Sequence, residues 1–95
     1  MATSVELTLL SAATATGDPV DWPGGAGEFA VEASAWNGAS VALHKKGPNG
    51  TYSLLSGELT LTANGFVGFM AAAGLIKAVI TGSPTGVYAT AKGLG

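Results

Sequence analysis

From Ser4 to Leu9, from Glu28 to Ala33, from Ser40 to Lys46 and from Val87 to Lys92, apolar and polar or small side chains alternate one for one. Successive side chains point to opposite sides only in an extended strand, so this period of two predicts strands with one face on a core and one in water. Val5, Leu7 and Leu9 share one side and Ser4, Glu6 and Thr8 the other. Phe29, Val31 and Ala33 turn inward while Glu28 and Glu32 share the wet face. Val41 and Leu43 are expected inward, with Ala42 and His44 outward.

Turn residues punctuate these runs. Ser11 to Gly27 is small and turn-rich, with Gly17-Asp18-Pro19 and Trp22-Pro23-Gly24-Gly25, and reads as a surface loop. Trp36-Asn37-Gly38-Ala39 reads as a connection, and Gly47-Pro48-Asn49-Gly50 as a hairpin leading into Thr51 to Leu55. Glu58 to Thr62 alternates again, with Leu59 and Leu61 on one face. Asn64-Gly65 is the strongest short hairpin signal in the chain and makes Phe66 to Met70 its return strand. Ala71-Ala72-Ala73-Gly74 is expected to be a short irregular corner, followed by a strand from Leu75 to Thr81 and a turn at Gly82-Ser83-Pro84-Thr85-Gly86. The sum is roughly eight short strands. The expected fold is all-β, one domain over residues 1–95, built as an antiparallel β-sandwich or jelly-roll-like unit.

Hydrophobic residues make up 47% of the 95 positions and charged residues 11%, against roughly 25% charge in an ordinary soluble domain. So little charge on a small domain predicts that part of its apolar surface meets a partner, and strand edges at Thr3 to Leu10 or Val87 to Lys92 are candidates for pairing. Four lysines, no arginine and a net charge of −2 argue against nucleic acid, whose phosphates require clustered cations. With no cysteine, disulfides and thiolate metal sites are excluded. The longest apolar run, Phe66 to Ile80, is broken by Gly68, Gly74 and Lys77 and is short for a membrane span. Met1-Ala2-Thr3-Ser4 lacks the charge and apolar core of a secretory signal, so cytoplasmic synthesis is expected.

The reactive inventory is nearly empty. His44 is the single imidazole and has Lys45 and Lys46 beside it in place of a carboxylate, and no Gly-x-Ser-x-Gly elbow occurs. Asp18 and Asp21 share a loop and could approach a calcium ion, but such aspartates more often cap and shape turns. Gly24-Gly25-Ala26-Gly27 has no lysine after it and precedes a strand, which favours a flexible turn over a phosphate cradle. Trp22 and Trp36 are the candidate partner-binding residues, either as stacking platforms for sugar rings or as lids on the two ends of a small core, and size favours lids. No enzyme activity, metal or cofactor is expected.

Trp22-Pro23-Gly24-Gly25-Ala26-Gly27-Glu28-Phe29, Gly38 to Leu43, Gly47-Pro48-Asn49-Gly50-Thr51 and Thr81 to Ala89 occur in that order. In this the chain resembles a group of small structural proteins of tailed bacteriophages, similar to the decoration or cement proteins on the outside of the capsid. The resemblance implies a β-sandwich subunit that joins others, often as a trimer, and clamps the major capsid protein on the outer surface of the virion. The chain departs from that group between Met70 and Lys77, where the relatives carry a more polar, proline-containing bend and an arginine, so no partner contact is assigned to this corner. A carbohydrate-binding or adhesion module of a phage tail or fibre, using Trp22 and Trp36, is the alternative role.

Overall fold

The computed structural model describes residues 6–55 and 57–93, so Ser4 and Val5 and the first part of the expected Thr3 to Leu10 edge lie outside the described residues. Among the described residues nine strands follow in order: β1 (Glu6–Ala13), β2 (Val20–Trp22), β3 (Gly25–Ala35), β4 (Ser40–Lys46), β5 (Tyr52–Leu54), β6 (Thr60–Leu61), β7 (Gly65–Ala71), β8 (Gly74–Thr81) and β9 (Thr85–Gly93). One short 3-10 turn, Gly57–Leu59, precedes β6. They form two antiparallel sheets, one ordered β1-β9-β3-β7 and the other β2-β8-β4-β5, with β6 also pairing with β4 beside β5. The architecture is a β-sandwich, as the period-two pattern requires.

Between the sheets lies one cluster of buried side chains, with Phe29 and Val31 from β3, Val41 and Leu43 from β4, Ile76 and Ala78 from β8, and Val87, Ala89 and Ala91 from β9. Among the described residues no polar or charged side chain is buried. The core is closed by apolar packing alone, which is where a chain without disulfides must find its stability.

Several connections differ from the local reading. The chain passes from one sheet to the other at β1–β2, β2–β3, β3–β4, β6–β7, β7–β8 and β8–β9. Gly47-Pro48-Asn49-Gly50 does close a hairpin: the Gly47 N–H donates to the Thr51 carbonyl at 2.8 Å, and Lys46 pairs with Tyr52. Asn64-Gly65 does not. β6 belongs to one sheet and β7 to the other, so this dipeptide is a crossover, and the Asn64 Oδ1 accepts instead from the Ala33 backbone N–H (3.0 Å) and the Trp36 indole N–H (2.8 Å). A local turn signal has been recruited to staple distant backbone.

Ser11 to Gly27 is likewise not one loop, because β1 runs on to Ala13, β2 lies inside the stretch and β3 starts at Gly25. Strand β1 stays paired to β9 through register shifts between Thr8 and Leu10 and between Leu10 and Ala13, with Ala12 at φ 49°. The first of these bulges turns both Leu9 and Leu10 into the core, where strict alternation would have put Leu10 in water. The expected strand from Glu58 to Thr62 shrinks to Thr60–Leu61, because Gly57–Leu59 coils to bury Leu59. Finally, β9 is flanked by β1 and β3, so Val87 to Lys92 is not an edge available for pairing. The first described strand lies at a sheet edge and the last does not.

Candidate interaction face

The two tryptophans work inside the molecule. Trp22 is 1% exposed; its indole N–H donates to the Ala71 carbonyl at 3.2 Å and its ring lies 5.0 Å from that of Phe69. A Cβ on Gly27 would stand 2.9 Å from Trp22 Cζ2 and closer still to Cη2, so Gly27 is the bare wall that admits the ring, not part of a flexible turn. No face of Trp22 is open to a sugar. Trp36 is half-buried, with its indole N–H held by Asn64. Both rings thus act as lids, and both tie down β7: Trp22 grips Ala71 at its end, and Trp36 shares Asn64 just before its start.

Of the exposed large apolar side chains, Leu54 lies on the β2-β8-β4-β5 sheet and the others lie together elsewhere. Phe66 is 73% exposed, Met70 78% and Tyr88 47%, and all three stand on the outer face of the β1-β9-β3-β7 sheet. Register places them: Phe66 pairs with Ala30, Met70 with Ala26, and Tyr88 with Glu32. Ala30 beside Phe66 is small, and Phe66, Tyr88, Ala30, Thr90 and Glu32 line a concavity of about 170 Å3. Glu28 and Glu32 share this face, and Lys92 pairs across strands with both Glu6 and Glu28.

The opposite sheet presents a different surface. Lys77 Nζ sits 4.2 Å from the centre of the Tyr52 ring, and His44 has Lys77 and Leu54 as cross-strand neighbours. Partial burial, and then the ammonium of Lys77, lower the His44 pKa below its ordinary 6.5, against the opposing effect of a hydrogen bond with the Tyr52 backbone. The hydrogen bond with the Tyr52 backbone fixes the ring, and the Lys77 ammonium beside it favours the neutral imidazole. Among the described residues, Asp18 and Asp21 included, no group of three or more His, Cys, Asp or Glu is placed to hold a metal. Among the same residues no helix is long and apolar enough to cross a membrane.

Sequence reasoning singled out the tryptophans and missed Phe66, Met70 and Tyr88. One signal was present. Gly65-Phe66-Val67-Gly68-Phe69-Met70-Ala71 is apolar at every position, whereas a strand with one wet face alternates. Apolar residues on both faces of this strand leave Phe66 and Met70 exposed.

No protein-family profile matches the chain, and no curated protein matches it in sequence. In fold the chain is similar to the crystal structure of the SPBc2 prophage-derived protein YomS, with a TM-score of 0.72 over 95% of this chain and 90% of that one. Sequence identity is 16%, so the likeness is one of fold.

Proposed function

We propose that the chain is a structural protein of a tailed-phage virion, a capsid decoration protein that binds the major capsid protein on the outer surface of the head. Three lines support this reading. The turn and core motifs from Trp22 onward resemble those of decoration proteins, the fold occurs in a prophage-derived protein, and the described residues gather no group of three or more His, Cys, Asp or Glu that could hold a metal. The observation that carries it is the outer face bearing Phe66, Met70 and Tyr88, an exposed apolar surface of the kind that marks a protein contact. A cement subunit acts by repeated modest contacts on many equivalent sites, and such contacts require shape and apolar area in place of catalysis.

Cryo-electron microscopy of the parent particle tests the reading. Density for this chain on the outside of the head supports it, and density on the tail overturns it. The tail-adhesion alternative has lost Trp22 as a platform through burial. It would return only if glycan binding were found and then vanished in Trp36→Ala with the fold intact.

A further inference from the structure

We propose that β7 pairs with β7 of a second copy of this chain, antiparallel across a two-fold axis at Gly68, joining two four-stranded sheets into one of eight. A strand at a sheet edge offers unpaired backbone groups to other chains, and folded proteins blunt such edges by shortness, bulges, charge or proline. Among the described residues three of the four sheet edges are blunted in these ways. β2 has three residues between Pro19 and Pro23; β5 and β6 split their edge into pieces of three and two residues; β1 carries two bulges. β7 has none of these devices. Its seven residues pair with β3 from Gly25↔Ala71 to Val31↔Gly65 without a register shift, and they include no charge and no proline.

The strand's own sequence is complementary to a second copy of itself. Centring an antiparallel pair on Gly68 sets Gly65 against Ala71, Phe66 against Met70 and Val67 against Phe69, so every opposed pair is apolar. On the outer face this lays Phe66 of each copy against Met70 of the other. These are the two most exposed large apolar side chains among the described residues, and one symmetric contact covers both pairs. Such self-complementarity is what an isologous interface requires. Electrostatics does not oppose it. Glu28 pairs with Gly68 across β3 and β7, so the two copies' Glu28 residues would be three strand spacings apart. That is roughly 14 Å at ~4.8 Å per step, beyond the ~8 Å screening length at physiological salt. The Gly57–Leu59 turn packs beside β7, and Leu55, Glu58 and Leu59 line one hollow of about 190 Å3 together with Gly68, Phe69 and Met70.

A single strand pair with two flanking contacts is small beside the ~1,200–2,000 Å2 of a stable complex, so the association is concentration-dependent. Light scattering and sedimentation equilibrium of the purified chain, from micromolar to millimolar, test it. The expected result is a reversible passage from 9.3 kDa to twice that mass. A monomer throughout, or the three-fold mass that the family resemblance implies, overturns the proposal. Charge placement tests the register. Phe66→Lys with Met70→Lys opposes like charges and should reduce the association constant at least tenfold, while Phe66→Lys with Met70→Glu opposes unlike charges and should restore a dimer that weakens with salt. Equal association of the two double variants, each folded by circular dichroism, sinks the pairing. Mass in solution is independent of where the chain sits on a particle, so this result and the head-or-tail result fail separately.

Discussion

The outer strands of the same four-stranded sheet meet the problem of being an edge in opposite ways. β1 is broken twice in register, turns Leu9 and Leu10 together into the core, and holds Ala12 at φ 49°. β7 is straight, regular and apolar on both faces. Bulges twist and interrupt an edge, and a residue other than glycine in the left-handed region costs about a kilocalorie per mole, so β1 spends stability on being a poor template. β7 is instead fixed from within, by the Trp22 indole on Ala71 and by Asn64 bridging Ala33 and Trp36. The difference teaches that an edge left open can be as deliberately positioned as one that is closed.

The contrast breaks most severely at Trp22. Trp22→Ala removes the largest buried side chain and the donor to Ala71, and should cost about 3–5 kcal/mol. Urea unfolding measures it, and a loss under 1 kcal/mol would show that β7 is not held from inside. Asn64→Ala comes next, taking the acceptor from the Ala33 N–H and the Trp36 indole at a site water can reach, at about 0.5–1.5 kcal/mol. Hydrogen exchange should then rise first at Ala33; unchanged protection there would remove Asn64 from the account.

On the other edge, Ala12→Gly should raise stability by about 0.5–1 kcal/mol, since glycine takes a positive φ without strain. A fall in melting temperature would mean that Ala12 is not strained. Phe66→Lys should leave folding stability within about 0.5 kcal/mol, because its side chain is mostly in water. A larger loss would make Phe66 a core residue and erase the distinction between the two faces of β7.

The smallest effect lies on the opposite sheet and serves as a control for both edges. Because the folded state lowers the His44 pKa, the unfolded chain takes up its proton first as pH falls. His44 therefore contributes stability that is present above about pH 6.5 and lost as pH falls through the lower, folded value. Thermal melts across this range should show that slope in the native chain and a shallower one in His44→Gln, with β7 association unchanged. An identical slope in the variant would assign the pH dependence to other groups.

Much of the fold was legible because alternation is a local record of burial. Phe29 and Val31, Val41 and Leu43, and Val87, Ala89 and Ala91 all face the core, and the turn at Gly47 to Gly50 closes the hairpin its residues demand. Where adjacent residues both turn inward, as at Leu9-Leu10, a bulge has reset the period and the pattern misleads. Where a turn signal serves a crossover, as at Asn64-Gly65, the dipeptide is the same but its partners lie 31 and 28 residues away. The face was harder to read than the fold. Aromatic size drew attention to Trp22, yet size also suits a ring to fill a core, and only the opposing bare wall of Gly27 decided between the two.

The sequence by itself determined that this chain is a stack of strands with a dry side, poor in charge and in reactive groups, because side-chain alternation and composition act residue by residue. Tertiary structure alone decided that β9 is central, that β7 is an edge and that Phe66, Met70 and Tyr88 share an open face. The reason is that strand neighbours are chosen by hydrogen bonds and packing between segments far apart in the chain, and no local pattern carries that choice.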